Sequence, residues 1–255
     1  MDEYDLAVVG AGIHGAGVAQ AAAARGLSVL VVERREAAGM ETSRASSKLI
    51  HGGLRYLETL QFRLVYECLR EQGHLLRNAP HLVRRSDFYI PVYKNSRRSA
   101  WWIYLGLCCY QLLAGRPLKG IERVPAARWD SLGLQQRDLT AVFRYQDAQT
   151  DDQALTRAVL ESAVSMGAKV HFGSALNKIQ YTSHYTLTFG DGSSVRCRAL
   201  VNAAGPWANE VAALGGLPQQ ELDWVQGIHI VLRRPAMAGC FYVEAPQDGR
   251  AVFVL

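Results

Sequence analysis

Apolar residues fall along this chain in short runs and at helical spacing, and the alternation of the two patterns predicts most of its elements. Tyr4–Val9 and Leu27–Val32 are short, mostly apolar runs of strand length, interrupted only by Asp5 and Ser28, the pattern of strands buried on both faces. Between them, Ala16–Arg25 reads as a helix rich in small residues and closed by Gly26. Together they predict a βαβ unit with a right-handed crossover. A helical pattern follows from about Leu60 to Arg77, and Pro80 and Pro91 bracket a loop and a strand. Ala100–Ala114 is almost wholly apolar. Asp151 and Asp152 open a helix that runs to Met166 and stops at Gly167. Lys169–Phe172 reads as a strand, and Tyr185–Phe189 opens a hairpin turned by Gly190-Asp191-Gly192. Val195–Val201 and Ile228–Leu232 read as further strands. Ala251–Leu255 reads as a buried strand with no turn or polar tail after it, so the chain is expected to stop inside a domain.

The junction of the first strand and helix carries recognisable chemistry. Gly10, Gly12 and Gly15 form G-x-G-x-x-G, with Ile13 and His14 between the second and third glycines. The first glycine makes a tight turn, the second lets the backbone approach a pyrophosphate, and the third lets helix and strand pack closely. The helix start then offers unpaired N–H groups and a partial positive charge to the phosphates. Glu33, 18 positions after Gly15, ends the second strand where a carboxylate can accept hydrogen bonds from a ribose, with Arg34 beside it. Strand, glycines, helix, second strand and acid fall in one order, which favours a dinucleotide site over a mere Gly-rich turn. The later hairpins alternate with this unit. An α/β chain of two interleaved domains is therefore expected, residues 1–78 and 145–215 binding the dinucleotide and 79–144 and 216–255 forming a second, antiparallel-sheet domain.

Charge narrows the partners. Lys and Arg outnumber Asp and Glu by 28 to 23, which suits an anionic cofactor, a phosphorylated substrate or an acidic membrane surface. The basic residues form no long run with interleaved aromatics, so nucleic acid is not expected as a partner. The 5 cysteines include no C-x-x-C pair; neither a metal site nor a disulfide framework is predicted, and a reduced, cytoplasmic setting follows. Ala100–Ala114 carries Trp101, Trp102, Tyr104 and Tyr110, flanked by Arg97, Arg98, Arg116 and Lys119. It is too short to span a bilayer. Either it packs inside the second domain, or it lies in a membrane interface with its aromatic side down.

The segment Thr42-Ser43-Arg44-Ala45-Ser46-Ser47-Lys48-Leu49-Ile50-His51-Gly52-Gly53-Leu54-Arg55-Tyr56-Leu57-Glu58 resembles the flavin-facing stretch of the aerobic, FAD-dependent glycerol-3-phosphate dehydrogenases. Asp151-Asp152, Asn202-Ala203-Ala204-Gly205-Pro206-Trp207 and Gly227-Ile228-His229-Ile230 extend the likeness over nearly the whole chain. Arg44 and Gln226 stand where that family is expected to carry Ser and Lys. The resemblance implies a Rossmann-like FAD-binding domain of the GR2 type, interleaved with an antiparallel-sheet substrate domain. It implies FAD as cofactor, held by Thr42, Ser43, Ser46, Ser47, Lys48, Leu49, Ala204, Gly205 and Trp207, with Ala175 meeting the adenine through its backbone.

The implied reaction is oxidation of sn-glycerol 3-phosphate at C2 to dihydroxyacetone phosphate, with a quinone as final electron acceptor. The implied setting is the inner face of the cell membrane, as a peripheral protein; a homodimer is compatible with it. The residues themselves agree. Ser46, Ser47 and Lys48 supply donors suited to flavin phosphates and ring oxygens, and Gly52 and Gly53 clear space for a flat ring or substrate. Arg55 offers the planar fork that grips a phosphate dianion, with Tyr56 beside it. His51 or His229 is expected near the reacting carbon, although either could be a hydrogen-bonded structural histidine. Two other readings stay open: another FAD-dependent oxidase, using O₂ or acting on an amine or 2-hydroxy acid, and a non-catalytic FAD-binding fragment.

Overall fold

The computed structural model describes residues 2–225, 227–231, 233, 239–245 and 247–255. In chain order its elements begin with β1 (Glu3–Val9), α1 (Ile13–Ala23), β2 (Val29–Val32), β3 (Leu49–Ile50), α2 (Phe62–Asn78), β4 (Val83–Tyr93) and α3 (Ala100–Leu113). They continue with β5 (Glu122–Arg123), β6 (Leu139–Thr150), α4 (Asp152–Ser165), β7 (Lys169–His171) and β8 (Leu176–Tyr181). Last come β9 (Tyr185–Phe189), β10 (Ser194–Asn202), α5 (Ala208–Leu214), β11 (Cys240–Glu244) and β12 (Ala251–Val254). They divide into two units, Met1–Ser46 with Asp151–His229, and Ser47–Thr150 with Ile230–Leu255.

The first unit is an α/β sandwich on a sheet of order β7-β2-β1-β10-β9-β8. β7, β2, β1 and β10 run parallel, and β9 and β8 close the sheet antiparallel. The apolar runs of β1 and β2 have their explanation in two packed faces. Leu6, Val8, Val29 and Val31 point to α1 and α4, while Ala7, Leu30 and Val32 point to a second cluster with Leu187, Val195 and, partly buried, Val211 of α5. Small residues on α1 (Ala16, Ala19 and Ala23) let it lie close on the strands. The Asp151 side chain caps α4, accepting from the Ala154 N–H at 3.0 Å, a contact worth about 1 kcal/mol.

The second unit is built on the sheet β12-β11-β4-β6-β3, with β5 also paired to β6. Most pairings are antiparallel, but β11 joins β4 in parallel, so the sheet is mixed rather than purely antiparallel. One face packs Phe88, Ile90, Phe143 and Tyr145 against Val65 and Leu69 of α2 and Leu107 and Tyr110 of α3. This packing places α2 in the second unit, whereas the hydrophobic pattern grouped all of residues 1–78 with the nucleotide fold. Pro91 sits inside β4 rather than bounding it. Its partner Val142 turns its carbonyl away to accept from the Val124 N–H at 2.8 Å, so Pro91 faces a non-hydrogen-bonded pair and its missing donor breaks no bond to β6.

Two expected strands differ. Gly227–Val231 forms no strand among the described residues, and Ile228, Ile230 and Val231 are largely exposed; their apolar alternation lacks a neighbouring strand to pair with. Leu232 lies outside the described residues. β12 forms where expected but is only partly buried, Val252 being 42% exposed. As for the apolar stretch, α3 buries Leu107, Tyr110 and Gln111 while Trp101 and Trp102 stand 66% and 62% exposed. The buried face fits the alternative that packs the helix inside the second domain.

Candidate functional site

The first unit makes a tight glycine turn where β1 passes into α1. Gly10 takes φ +103°, and a Cβ there would lie 2.5 Å from the Ala203 carbonyl oxygen. A Cβ on Gly15 would lie 1.8 Å from the Gly10 carbonyl oxygen. No side-chain carbon fits at such distances, so the turn closes only with glycine. At Gly12 a Cβ would meet a hydroxyl instead, Ser43 Oγ at 3.1 Å. The helix start has no capping side chain from its own Gly12; the Ile13 N–H donates to Ser43 Oγ at 3.0 Å. Gly12, Ile13 and Ser43 thus meet where helix N–H groups address an anion, and His14 is exposed one residue on.

Glu33 closes the other side of the turn. Its Oε2 accepts from the Ala11 N–H at 2.8 Å and its Oε1 from the Arg35 N–H at 2.8 Å. Two backbone donors fix the carboxylate, and each oxygen keeps a second lone pair for a ribose hydroxyl. Arg34 holds its guanidinium 4.1 Å over the Trp207 ring, a cation–π contact joining two predicted cofactor residues. The Ala204 N–H donates to Asn202 Oδ1 at 3.2 Å, and the Ala204 carbonyl accepts from the Trp207 N–H at 3.1 Å, with Gly205 at φ +55° between. Ala175 follows β7, its carbonyl accepting from the Gly190 N–H at 3.0 Å. Thr42 is exposed in the 3₁₀ turn Thr42–Arg44. Ser46 donates through its N–H and Oγ to Asp152 Oδ2, at 3.0 and 2.8 Å, tying the loop to the start of α4.

In the second unit, Ser47 and Lys48 lead into β3. Lys48 takes φ +59°, and its carbonyl accepts from the Thr150 N–H at 2.9 Å. Leu49 is buried, and Leu49 and Ile50 pair with Gln149 and Ala148 of β6, so His51 emerges from the end of a strand anchored in the sheet. His51 is half-buried and stacks on Phe253, ring centroids 6.1 Å apart and planes within 13°. Burial holds its pKa below the ordinary histidine value, and the Arg55 guanidinium pushes the same way. Gly53, at φ +74°, starts the 3₁₀ turn Leu54–Thr59, which presents Arg55 and Tyr56 at the surface. Tyr242 meets Phe253 edge-on at 5.1 Å.

His51, Arg55 and Tyr56 therefore belong to one unit, joined by Phe253 and Tyr242, which the pattern did not single out. Their signal was the hairpin of β11 and β12 itself, whose alternating aromatics face the His51 loop. His229 lies at the end of the first unit, exposed and outside any strand or helix. Gln226 lies outside the described residues. An open cleft of about 670 Å³ on the first unit, lined among others by Ala37, Leu160, Val164, Ala168 and Phe172, shares no residue with the glycine turn.

The sequence profile of FAD dependent oxidoreductases matches residues 5–255. The chain belongs to the FAD dependent oxidoreductase family. Within it, the chain is 40% identical over 263 residues to a glycerol-3-phosphate dehydrogenase of Pseudomonas aeruginosa, covering 99% of this chain and 50% of that protein. It is 34% identical over 259 residues to a D-erythritol 1-phosphate dehydrogenase of Brucella abortus, covering 98% and 51%. Among solved structures, the glycerol-3-phosphate dehydrogenase from Bacillus halodurans complexed with FAD superposes with a TM-score of 0.65 at 20% identity, covering 98% of this chain and 45% of that one. That likeness shows the fold. The chain spans about half the length of the curated relatives it matches. FAD is the cofactor of the family, and the cradle fits it: glycines where a Cβ would strike backbone, a helix start toward an anion, and a carboxylate held at the ribose position.

Proposed function

We propose that this chain provides the FAD-binding unit and much of the substrate surface of a polyol-phosphate dehydrogenase that oxidises sn-glycerol 3-phosphate at C2 to dihydroxyacetone phosphate. The observation that carries this reading is the His51–Arg55 pair: a half-buried imidazole held neutral beside an exposed guanidinium on the next turn. The chemistry that bound FAD supplies is acceptance of the hydride at N5 and passage of the electrons to a quinone.

The chain's own residues do the rest. Arg55 grips the phosphate dianion, with Tyr56 beside it, and sets the register of C2. His51, its pKa lowered, carries a free lone pair at neutral pH and takes the proton of the C2 hydroxyl at an imidazole nitrogen. His229 is the second candidate for that proton. Glu33, Ser43, Arg34 and Trp207 hold the adenosine and pyrophosphate end, and Ser46, Ser47, Lys48, Leu49, Ala175, Ala204 and Gly205 supply further cofactor contacts. Arg55→Ala in the full-length protein should raise KM for glycerol 3-phosphate about 10- to 100-fold, matching the roughly 1.5–3 kcal/mol of a hydrogen bond to a charged group. Unchanged kinetics in that variant would remove the phosphate from Arg55.

Among the described residues, no helix is long and apolar enough to cross a membrane. The exposed Trp101, Trp102 and Leu105 on α3, with Arg97 and Lys119 near its ends, support peripheral contact with an anionic membrane surface. Such contact suits a quinone acceptor, which resides in lipid.

A further inference from the structure

A polar network runs through the core of the second unit, where an apolar core would be expected. Gln72 of α2, Tyr110 of α3 and Asp147 of β6 are 0%, 0% and 2% exposed. The Asp147 carboxylate accepts three bonds: the Tyr110 hydroxyl to Oδ2 at 2.9 Å, the Ala148 N–H to Oδ1 at 3.2 Å, and the Gln72 amide to Oδ1. The Gln72 amide nitrogen also donates to the Ile50 carbonyl at 2.5 Å, while its oxygen accepts from the Arg116 guanidinium. That pattern fixes the amide orientation, since Nε2 faces two acceptors and Oε1 faces a cation. The Tyr110 hydroxyl in turn accepts from the Gly52 N–H at 2.6 Å.

The two backbone groups gripped by this network, the Ile50 carbonyl and the Gly52 N–H, stand on either side of His51. Three elements distant in sequence thus converge on one residue. The fit is close: a Cβ on Gly52 would lie 2.5 Å from the Tyr110 hydroxyl oxygen and 2.4 Å from Leu69 Cδ2. Gln72 and Tyr110 are each donor to the carboxylate and partner to the loop, so neither can shift without moving the His51 backbone. All three donors at Asp147 match an ionised carboxylate, which has only acceptors.

We infer that Gln72, Tyr110 and Asp147 are positioning residues that lock the backbone on both sides of His51 and so aim its imidazole at the reacting carbon. This inference rests on the proposed role of His51. The network is buried and shares no residue with Arg55 or the glycine turn, so its loss should act on the chemical step and leave substrate binding to Arg55.

The test uses the full-length, FAD-loaded protein with Tyr110→Phe and Gln72→Met, read per mole of bound flavin. Each should lower kcat for glycerol 3-phosphate roughly 10- to 100-fold, the range for a small misplacement of a reacting group, with KM unchanged. A ¹³C-histidine NMR titration, with the His51 signal assigned through His51→Gln, should show the imidazole pKa rising as the loop loosens. That second readout needs no substrate. If the wild type fails to react with glycerol 3-phosphate, the proposed function falls while the titration still judges the network. Full kcat per flavin together with an unmoved His51 titration in both variants would overturn the inference. Loss of flavin from both variants would do so too, because it would assign the network to folding.

Discussion

At the residue scale, the glycine turn and the buried carboxylate show how a single position commits the chain. Gly15 was legible as part of a motif; the 1.8 Å approach to the Gly10 carbonyl explains why no other residue serves. Gly15→Ala should force strand and helix apart and yield protein without the oxidised-flavin band. A variant purified with full flavin occupancy would contradict the cradle. Asp147 was not legible at all, because an isolated Asp in a strand pattern reads as a solvent-facing residue. Its partners, Gln72 and Tyr110, lie 75 and 37 positions away. Burial pushes its pKa from 3.8 up to about 6. The folded state therefore binds the proton more tightly than the unfolded chain, so this residue's contribution to stability falls as pH rises from about 4 to 6 and is constant above that. By linkage the loss is about 3 kcal/mol. His51 has the opposite sign, since its lowered pKa costs stability as pH falls below the ordinary histidine value. Comparing wild type with Asp147→Asn isolates the carboxylate: the wild type should lose ground in thermal midpoint between pH 4 and 6. A pH-independent difference would show that Asp147 titrates normally.

At the element scale, what the sequence revealed depended on how each strand is buried. β1 and β2 lie between two packed layers and read as mostly apolar runs, whereas the edge strand β7 is only partly buried. β6, the longest strand, escaped notice because Arg144, Gln146 and Asp147 interrupt its apolar residues; each is accommodated by partners elsewhere, Asp87 for Arg144 and Gln146. The false strand at Ile228–Leu232 fails for the converse reason, apolar alternation without a sheet beside its described residues. Helix α3 divides its apolar residues between the core and the surface, which periodicity alone could not apportion. Its exposed aromatics make a separate prediction. Trp101→Glu with Trp102→Glu should move the protein from the membrane pellet to the supernatant without loss of flavin. Aggregation or flavin loss would assign both tryptophans to packing. The helix should also depend on its cap, where the Trp102 N–H donates to Ser99 Oγ at 3.4 Å; at that length Ser99→Ala should cost no more than about 1 kcal/mol.

At the scale of the whole molecule, the chain forms two units, each made of two separate stretches of sequence. The cofactor cradle lies in the first, and the His51–Arg55 surface in the second. The motif order exposed the first; of the second, the hydrophobic pattern gave α2, α3 and β12, while His51 and Arg55 stood out only through resemblance, because their surroundings come from β3, α2, α3, β6 and the β11–β12 hairpin. Family membership fixes the cofactor class; the phosphorylated polyol is the proposed substrate. The most direct test is the visible spectrum of the full-length protein, recorded without oxygen before and after addition of glycerol 3-phosphate, with glycerol, glycine and erythritol 1-phosphate as comparisons. The account predicts a flavin band that bleaches with glycerol 3-phosphate and persists with glycerol and glycine. A band that ignores glycerol 3-phosphate, or that bleaches equally with glycine, would contradict it.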